Sequence, residues 1–492
     1  MALAHDILIN HDQLADLIRR GIDRAGRQDR SILVSYTERI PAPDPLDLFA
    51  AARATDQIGF FWQQPDHGFA IVGVGAAWTI ERNGSDRFDG IIDLWRDLIG
   101  AALIEGMDTM AGSGPTLLGG FSFDPQCDRT ELWRDFADAS LVLPRLQLTL
   151  NDGVAALTFN MLVDRSSDPN AVADDLAQLA ADLLSDPLPS SSRSSQLTIS
   201  NTLPGDEWKA IVADGIDTIR SGALEKVVLA RSVEVIGSRP IDPIAALDRL
   251  RQSYPSAYVF AITRGDRCFM GATPERLVGV RSGVVKASGL AGTTQRGATE
   301  DEDRQLGRAL LHSAKERHEH AVVVDMLREA LNAVCVDVYA PAAPRLLKLP
   351  NVQHLYTPIS GRLQPGYSLI DLVAALHPTP AVGGLPRPDA IAFIRDHEQL
   401  DRGWFAAPVG WLDARGEGDF AVALRSGLID GERATLFAGV GVVADSDPAK
   451  EYVETQLKLR PMLTGLGVAL TPVADATVPS PKLGEGLEVR AT

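Results

Sequence analysis

Two segments of the sequence repeat the pattern Lys-Glu-x-x-Glu, and its acids could bind a cation. Glu316 and Glu319 form one pair, and Glu451 and Glu454 form the other. Residues three apart share a helix face, and neighbouring carboxylates repel unless a cation lies between them or they face water. Two interpretations therefore stay open: two solvated, salt-bridged helices, or oxygen ligands for one hard cation such as Mg²⁺.

The histidines beside the first acid pair do not form a zinc site of the His-Glu-x-x-His kind. That site needs histidines four residues apart on one helix face. His318 and His320 are two apart, so they point about 200° away from one another on a helix of 3.6 residues per turn. The carboxylates are the better ligand candidates.

Glu275 and Lys226 are candidates for proton transfer. Glu275 follows FMGATP, where Pro274 interrupts strand pairing, and a similar hairpin earlier in the chain, ending VGVGAAWTI, has no acid at the matching place. The hairpin itself therefore does not require this carboxylate. Lys226 begins the predicted strand KVVLARSVEV. Either its ammonium reaches solvent at the sheet edge, or burial disfavours the charged form and lets the side chain act as a base.

Several further groups could hold an anion. The Gly-rich turn KASGLAGTTQRG offers backbone amides near Gly292 and Thr293, and Gly441 stands before a capped helix start. Arg425 alternates with apolar residues on the predicted inner strand FAVALRSG, where an arginine usually has an anionic partner. Lys458 lies one turn after the second acid pair, on the same face.

Hairpin strands predominate among the elements that would position these residues. Strand patterns include KVVLARSVEV, GWFAAPVGWLD, GDFAVALRSGLID and RATLFAGVGVVA, and helical patterns such as DEWKAIVADGIDTIRSGA lie between groups of strands. This order predicts the α+β class, with antiparallel sheets packed together and helices outside.

One low-complexity link, SDPLPSSSRSSQ, divides the chain. A hairpin pattern of aromatic strand, polar turn and apolar strand occurs from Phe60 and again from Tyr258, which a duplicated layout explains. We predict a peripheral segment at 1–45, the front half of the fold at 46–195, the catalytic region at 196–470 and a mobile tail at 471–492.

Composition excludes several classes of protein. A chain of 492 residues with 45% hydrophobic and 23% charged residues is globular, and its net charge of -18 argues against nucleic acid as a partner. Its three cysteines are far apart and fit neither a disulfide framework nor a cysteine metal site. Without a signal core or a long apolar run, we expect a cytoplasmic protein that does not cross a membrane.

Taken together, the motifs resemble the chorismate-utilising enzymes and, among them, the isochorismate synthases. The resemblance covers about Gln196 to Gly467, with a looser match before it, and the family's blocks occur in order: LEKVVLAR, FMGATPERLV, ASGLAGT, SAKERHEH, LHPTPAVGGLP, RGWFAAPVGW, FAVALRSG and AGVGVVADSDPAKEYVETQLK. It implies one large fold of two antiparallel-sheet subdomains, with helices outside and the active site in the cleft between them.

The resemblance also implies roles for individual residues. Lys226 falls at the general base that activates water, and Glu275 at the general acid that protonates the leaving hydroxyl. The implied cofactor is Mg²⁺, bound by Glu319 and Glu454 with Glu316 and Glu451 beside them. The expected contacts to the substrate, chorismate, are Gly292, Thr293, His377, Ala381, Phe405, Arg425, Gly441 and Lys458.

Within the family, several positions favour isochorismate synthase. Anthranilate synthases lack lysine at the place of Lys226, and aminodeoxychorismate synthases usually have threonine at the place of Ala381, so alanine favours water as the nucleophile. Phe405 does not decide the reaction. The long front half resembles the menaquinone-pathway type, and we expect a monomer. Salicylate synthase and a siderophore-pathway isochorismate synthase are the alternatives, whereas a chorismate-binding regulator would be expected to lack the acid or the base.

Overall fold

Two large sheets and the helices packed against them make up the fold. The computed structural model describes residues 10–55, 57–107, 109–184, 196–348, 352–468 and 488–489. The helices are α1 (His11–Gln28), α2 (Pro45–Ala54), α3 (Ile91–Ala101), α4 (Pro169–Leu184), α5 (Gly205–Arg220), α6 (Pro243–Ser253), α7 (Glu300–His312), α8 (Ala314–Val334), α9 (Leu369–Leu376), α10 (Arg387–His397) and α11 (Pro448–Gly465).

The strands are β1 (Ile32–Ile40), β2 (Gly59–Gln64), β3 (Phe69–Val74), β4 (Trp78–Arg82), β5 (Leu103–Glu105), β6 (Thr116–Phe121), β7 (Ala139–Leu143), β8 (Leu146–Asn151), β9 (Val154–Val163), β10 (Leu197–Asn201), β11 (Lys226–Gly237), β12 (Tyr258–Arg264), β13 (Arg267–Thr273), β14 (Arg276–Arg281), β15 (Val284–Gln295), β16 (Cys335–Tyr339), β17 (Arg345–Lys348), β18 (Val352–Leu363), β19 (Gly384–Leu385), β20 (Pro408–Asp413), β21 (Gly418–Val422), β22 (Ser426–Asp430), β23 (Arg433–Val442) and β24 (Glu488–Val489).

The first sheet runs in the order β24-β10-β11-β23-β22-β13-β12-β2-β3-β8-β9-β1-β5, with β19 pairing β11. The second runs β16-β18-β15-β14-β21-β20-β6-β7-β4, with β17 pairing β18. All described strand pairs are antiparallel except β1 with β5. The predicted α+β class and the two antiparallel sheets are therefore confirmed.

Alternating side chains give the first sheet two buried faces. Trp62 and Phe260 point to the core shared with the second sheet, where they join Trp411. Phe61, the residue before Trp62, points to the opposite face and belongs to a second core, which includes Leu14 of α1 and Leu247 of α6. This period of two explains why strands here are apolar on both faces.

The repeated hairpins lie side by side in the first sheet. β2 and β3 form one hairpin, β12 and β13 the other, and β2 pairs with β12 so that Trp62 lies opposite Phe260. After each hairpin the chain leaves for the second sheet, into β4 and β14 respectively. The duplicated layout predicted from sequence is thus a structural repeat at the centre of the molecule.

The predicted domain division needs one correction. Residues 10–45 are not peripheral, because β1 lies inside the first sheet between β9 and β5, and Leu14 and Ile18 of α1 are fully buried. Strands from both sides of residues 185–195 pair with each other, as β6 does with β20. The predicted tail at 471–492 lies outside the described residues except for β24, which pairs with β10. None of the described helices is long and apolar enough to cross a membrane.

Candidate active site

A cavity between the two sheets collects the candidate residues from distant parts of the chain. It is lined by Lys226, Glu275, Gly292, Thr293, Glu316, Glu319, Ala381, Phe405, Arg425, Gly441, Glu451, Glu454 and Lys458, among others. Every residue predicted from the sequence to act or bind is on its wall except His377. The two acid pairs and Lys458 come from α8 and α11, and the remaining groups come from strands and their connections.

Glu275 and Arg425 lie where the chain passes between the sheets. Glu275 is in the connection from β13 to β14, and Arg425 is in the connection from β21 back to β22. Arg425 therefore does not sit on an inner strand as predicted. It has φ 49°, a left-handed conformation that ends the strand pattern, and such strain is typical of residues held for function. Both side chains consequently face the cleft.

Glu275 is a buried carboxyl group that holds its proton more tightly than usual. It is 5% exposed, and burial raises its pKa from 4.5 to about 7, although Arg425, Lys226 and Lys458 act in the opposite direction. A carboxyl group that stays protonated near neutral pH can serve as a general acid.

Lys226 is buried rather than exposed at a sheet edge. It is 4% exposed, lies at the start of β11 between β19 and β23, and donates a hydrogen bond of 2.6 Å from Nζ to Oε1 of Glu319. Of the two interpretations open from sequence, snorkelling to solvent is excluded. Lys226 reaches the cavity from β11, and Glu275 reaches it from the connection between β13 and β14.

The four glutamates of α8 and α11 concentrate negative charge at the cavity. Burial, then Glu319 and Glu454, raise the pKa of Glu316. Burial and then Glu454 raise the pKa of Glu451 to about 7. Burial also acts to raise the pKa of Glu454, but the charge and hydrogen bond of Lys458 and the charge of Arg425 outweigh it and lower that pKa. Mutual repulsion of this kind is what a bound cation relieves.

The four carboxylates do not converge closely enough to form a metal site. Among the described residues, no group of three or more His, Cys, Asp and Glu side chains is close enough to hold a metal ion. Glu319 contacts Lys226 instead, and Glu454 contacts Lys458 at 2.8 Å, because each ammonium group neutralises one carboxylate. Carboxylate oxygens facing one cavity nevertheless fit the ligands that Mg²⁺ prefers, so the residues are chemically suited to that ion.

A β-bulge brings backbone amides to the cavity wall. The pairing of β15 with β18 shifts register between Ala291 and Thr293, and Gly292 adopts φ +78° there. The amide of Thr293 donates to Oε2 of Glu316 at 3.2 Å. Glycine suits this position because a left-handed φ strains other residues.

Cations and a neutral histidine line the same side of the cavity. Burial lowers the pKa of the Arg425 guanidinium, although Glu454 and Glu275 counteract it. No described carboxylate lies within ion-pair distance of that guanidinium. Burial, then Arg425 and Lys458, lower the pKa of His354 to about 3, so the imidazole is neutral.

His354, which no sequence pattern singled out, lines the cavity, whereas His377 does not. Nδ1 of His354 lies 3.0 Å from Oγ1 of Thr293, and its buried Nε2 has no partner among the described residues. Its motif, VQHLY, reads as an ordinary strand. His377 instead lies behind the wall, buried with Nε2 3.1 Å from the Phe123 carbonyl oxygen.

Comparisons with known proteins agree with this geometry. The profile of the family "Chorismate binding enzyme" matches residues 20–467. The isochorismate synthase MenF of Bacillus subtilis is 38% identical over 458 residues, 92% of this chain and 97% of that protein. The salicylate biosynthesis isochorismate synthase of Pseudomonas aeruginosa is 42% identical over 464 residues, 92% of this chain and 94% of that protein.

A solved structure of the same kind is also similar. It is that of MenF, the menaquinone-specific isochorismate synthase from Escherichia coli, with TM-score 0.74 and 27% sequence identity. The match covers 91% of this chain and 99% of that one.

Proposed function

This chain belongs to the chorismate-binding enzyme family, and we propose that it is an isochorismate synthase, an isomerase that converts chorismate to isochorismate. The observation that carries the proposal is the pair of buried proton-transfer groups, Lys226 and Glu275, on the wall of one cavity. A protein that only bound chorismate would need neither group.

The reaction moves a hydroxyl group around the ring, and the two residues account for both proton transfers. Water adds to the second ring carbon and gives a proton to Lys226 Nζ. The ring double bonds shift, and the hydroxyl on the fourth carbon leaves as water with the proton of Glu275. The raised pKa of Glu275, about 7, keeps that proton available. To act as the base, Nζ of Lys226 must present its lone pair to the attacking water.

We propose Arg425 and Lys458 as the groups that bind the substrate carboxylates. Arg425 has no carboxylate partner within the described structure, and its guanidinium faces the cavity. The backbone at Gly441 adds a donor without adding charge, and the Thr293 amide at the β15 bulge becomes a second one when Glu316 no longer accepts from it. Ala381 and Phe405, which stacks on Phe437 at 5.1 Å, supply the apolar part of the wall.

Mg²⁺ is the proposed cofactor, held by Glu319 and Glu454 with Glu316 and Glu451 supporting them. When bound, it would offset the negative charge of a substrate carboxylate next to this acid-rich wall. The support for this proposal is the set of four glutamates on one cavity, two of which have raised pKa values because of burial and mutual repulsion.

The pathway is proposed from the relatives. Similarity to the MenF proteins over nearly the whole chain supports a role in menaquinone synthesis. The relative named for salicylate biosynthesis is 42% identical, so supply of isochorismate to a salicylate or siderophore pathway is the second candidate. Salicylate synthase itself, which goes on to eliminate pyruvate, is the third.

A cytoplasmic location, a monomer and the absence of a nucleic-acid partner stay predictions from the sequence.

The decisive experiment is incubation of the purified protein with chorismate and Mg²⁺, followed by chromatography of the products. We expect isochorismate alone. Salicylate with pyruvate would identify a salicylate synthase, and unchanged chorismate would refute both enzymes. Deleting the gene and measuring menaquinone and salicylate in the cells would then assign the pathway.

A further inference from the structure

The strand that carries Lys226 lacks a strand neighbour along part of one edge. On one side, β23 pairs with β11 from Val227 to Ile236. On the other side, β19 pairs with residues 226–227 and β10 with residues 233–237. The backbone groups between them, the carbonyl of Val228 and both polar groups of Ala230, would be left unpaired in a buried place, which is costly.

Three side chains take the place of the missing strand. Nη2 of Arg402 donates to the Val228 carbonyl at 2.8 Å, and the Ala230 amide donates to Oε2 of Glu398 at 2.7 Å. Nε1 of Trp208 donates to the Ala230 carbonyl at 2.9 Å. The edge of β11 is thus completed by side chains beside the cavity.

Glu398 and Arg402 also bind each other and a second part of the cavity wall. Arg402 Nε donates to Glu398 Oε1 at 2.6 Å. Both residues are buried: Arg402 is 3% exposed and Glu398 is 2% exposed. Arg402 Nη1 donates to the carbonyl of Val382 at 3.0 Å, next to Ala381. We call this pair the Glu398–Arg402 clamp, since it joins β11 to the turn that carries Ala381.

Arg402 lines the cavity, so it could be mistaken for a group that binds a substrate carboxylate. Its Nε, Nη1 and Nη2 all donate to protein oxygens, whereas Arg425 contacts no carboxylate in the described part of the chain. A guanidinium so fully engaged holds its neighbours in place and contributes little to binding a ligand.

We propose that the Glu398–Arg402 clamp is a positioning pair that fixes Lys226 relative to the Ala381 turn, and so places the base next to the attacking water. This inference rests on the proposed function, because it assumes that Lys226 is the base. Loss of the clamp shifts the strand of Lys226 while leaving Arg425 and Lys458 to bind the substrate. The rate of the chemical step should therefore fall more than substrate binding does.

Arg402→Lys tests the clamp, because lysine keeps the charge but cannot form the forked set of hydrogen bonds. We expect kcat to fall at least about tenfold while KM for chorismate stays within about threefold. Arg415→Lys is the matched control. Arg415 also binds a buried carboxylate, Asp413, and a carbonyl, that of Met110, but it lies off the cavity wall, so kcat should not change.

A KM increase that exceeds the fall in kcat would show that Arg402 binds substrate and overturn the proposal. Unchanged kinetics in the folded variant would also overturn it. If Arg402→Lys does not fold, Glu398→Gln provides the same comparison, since an amide has one acceptor oxygen in place of the two with which Glu398 accepts from Arg402 and Ala230.

Amide hydrogen exchange in the unmodified protein tests the clamp independently of any activity. The Ala230 amide should exchange as slowly as amides paired between strands, and faster in Glu398→Gln. Rapid exchange at Ala230 in the parent protein would refute the clamp. Parent protein that leaves chorismate unchanged, with Ala230 protected, would refute the proposed function and not the clamp.

Discussion

At the residue scale, the chemistry depends on two buried ionisable groups whose surroundings differ. Lys226 touches Glu319, whereas Glu275 has no carboxylate among the charged groups that act on it and is surrounded by cations and apolar atoms. The different surroundings of Lys226 and Glu275 thus suit one to act as a base and the other as an acid, as in other enzymes that use paired proton-transfer groups.

Removing either group should stop the reaction without preventing binding. We expect Lys226→Ala and Glu275→Gln each to lower kcat at least about a hundredfold, because one proton transfer is lost. Lys286→Ala and Glu432→Gln, at exposed positions, serve as controls and should be fully active. Near-parental turnover by Lys226→Ala or Glu275→Gln would contradict the assigned role, and calorimetric titration with chorismate would show that binding survives.

The raised pKa of Glu275 predicts how stability depends on pH. Because the folded pKa is about 7 and the ordinary value is 4.5, the folded protein keeps this proton where the unfolded chain loses it. Below pH 4.5 the carboxyl group is protonated in both states and does not affect stability. As pH rises from 4.5 to 7, the unfolded chain ionises first and the free energy of unfolding falls; above pH 7 the loss is complete. Glu275→Gln should be more stable than the parent at pH 8, by up to about 3 kcal/mol.

Denaturant unfolding of both proteins at pH 4 and pH 8 measures this difference. We expect near-equal stability at the lower pH and a more stable variant at the higher one. An equal difference at both values would mean that Glu275 ionises normally. The kcat of the parent should also fall as pH rises through about 7, because the general acid then loses its proton.

At the element scale, α8 and α11 present the acids, and their starts are fixed by capping. Ser313 caps α8 by accepting from the Glu316 amide, and Asp447 caps α11. His320, next to Glu319, anchors α8 to the second sheet, with Nε2 2.7 Å from Oγ1 of Thr357. The two helices can therefore direct their glutamates at one cavity only when both sheets are in place.

A chelator should abolish activity, and added Mg²⁺ should restore it. Glu454→Gln should raise the Mg²⁺ concentration needed for half-maximal rate at least about tenfold, because a charged ligand is replaced by a neutral one. Glu329→Gln, at an exposed position of α8, is the control and should leave that concentration unchanged. Turnover that persists in excess chelator would contradict the carboxylate site.

The β15 bulge allows a comparison of two glycines with similar backbones. Gly292 and Gly283 have φ +78° and +72°, but a Cβ at Gly292 would approach Glu316 Oε2 and Leu355 at 3.2 Å, whereas one at Gly283 meets nothing within 4 Å. Both changes to alanine should cost about 1 kcal/mol of stability from the left-handed backbone. Only Gly292→Ala should also alter KM for chorismate or Mg²⁺. Equal kinetics in the two variants would remove the bulge from the site.

At the scale of the whole molecule, neither half of the chain is complete without the other. β12 of the second half pairs with β2 of the first, and β20 pairs with β6. Separating the two halves would therefore expose long strand edges and the apolar faces between the sheets. Exposed edges of this kind lead to aggregation.

A fragment beginning at residue 196 therefore tests this dependence. Although it contains all the proposed site residues, we expect it to be insoluble or unfolded when expressed alone. Co-expression with residues 1–195 should restore folded protein, which circular dichroism and size-exclusion chromatography would detect. A folded and active isolated fragment would contradict the prediction.

The sequence by itself determined which types of side chain could act in the site, the antiparallel fold class and the duplicated hairpin. These follow from the alternation of apolar and polar residues, from turns and from helix faces, which are local properties of the chain. It also supplied the family resemblance through blocks such as FMGATPERLV. The predicted strand through Arg425 was wrong because alternation continues across the point where the chain changes sheets, and local pattern does not reveal which sheet a strand joins.

Only the tertiary structure decided which of these groups meet. Burial of Lys226, the raised pKa of Glu275, the place of His354 and the support of β11 by Glu398 and Arg402 all depend on residues far away in the chain. The physical reason is that burial and electrostatic interactions act through space, whereas sequence patterns report only on neighbours along the chain.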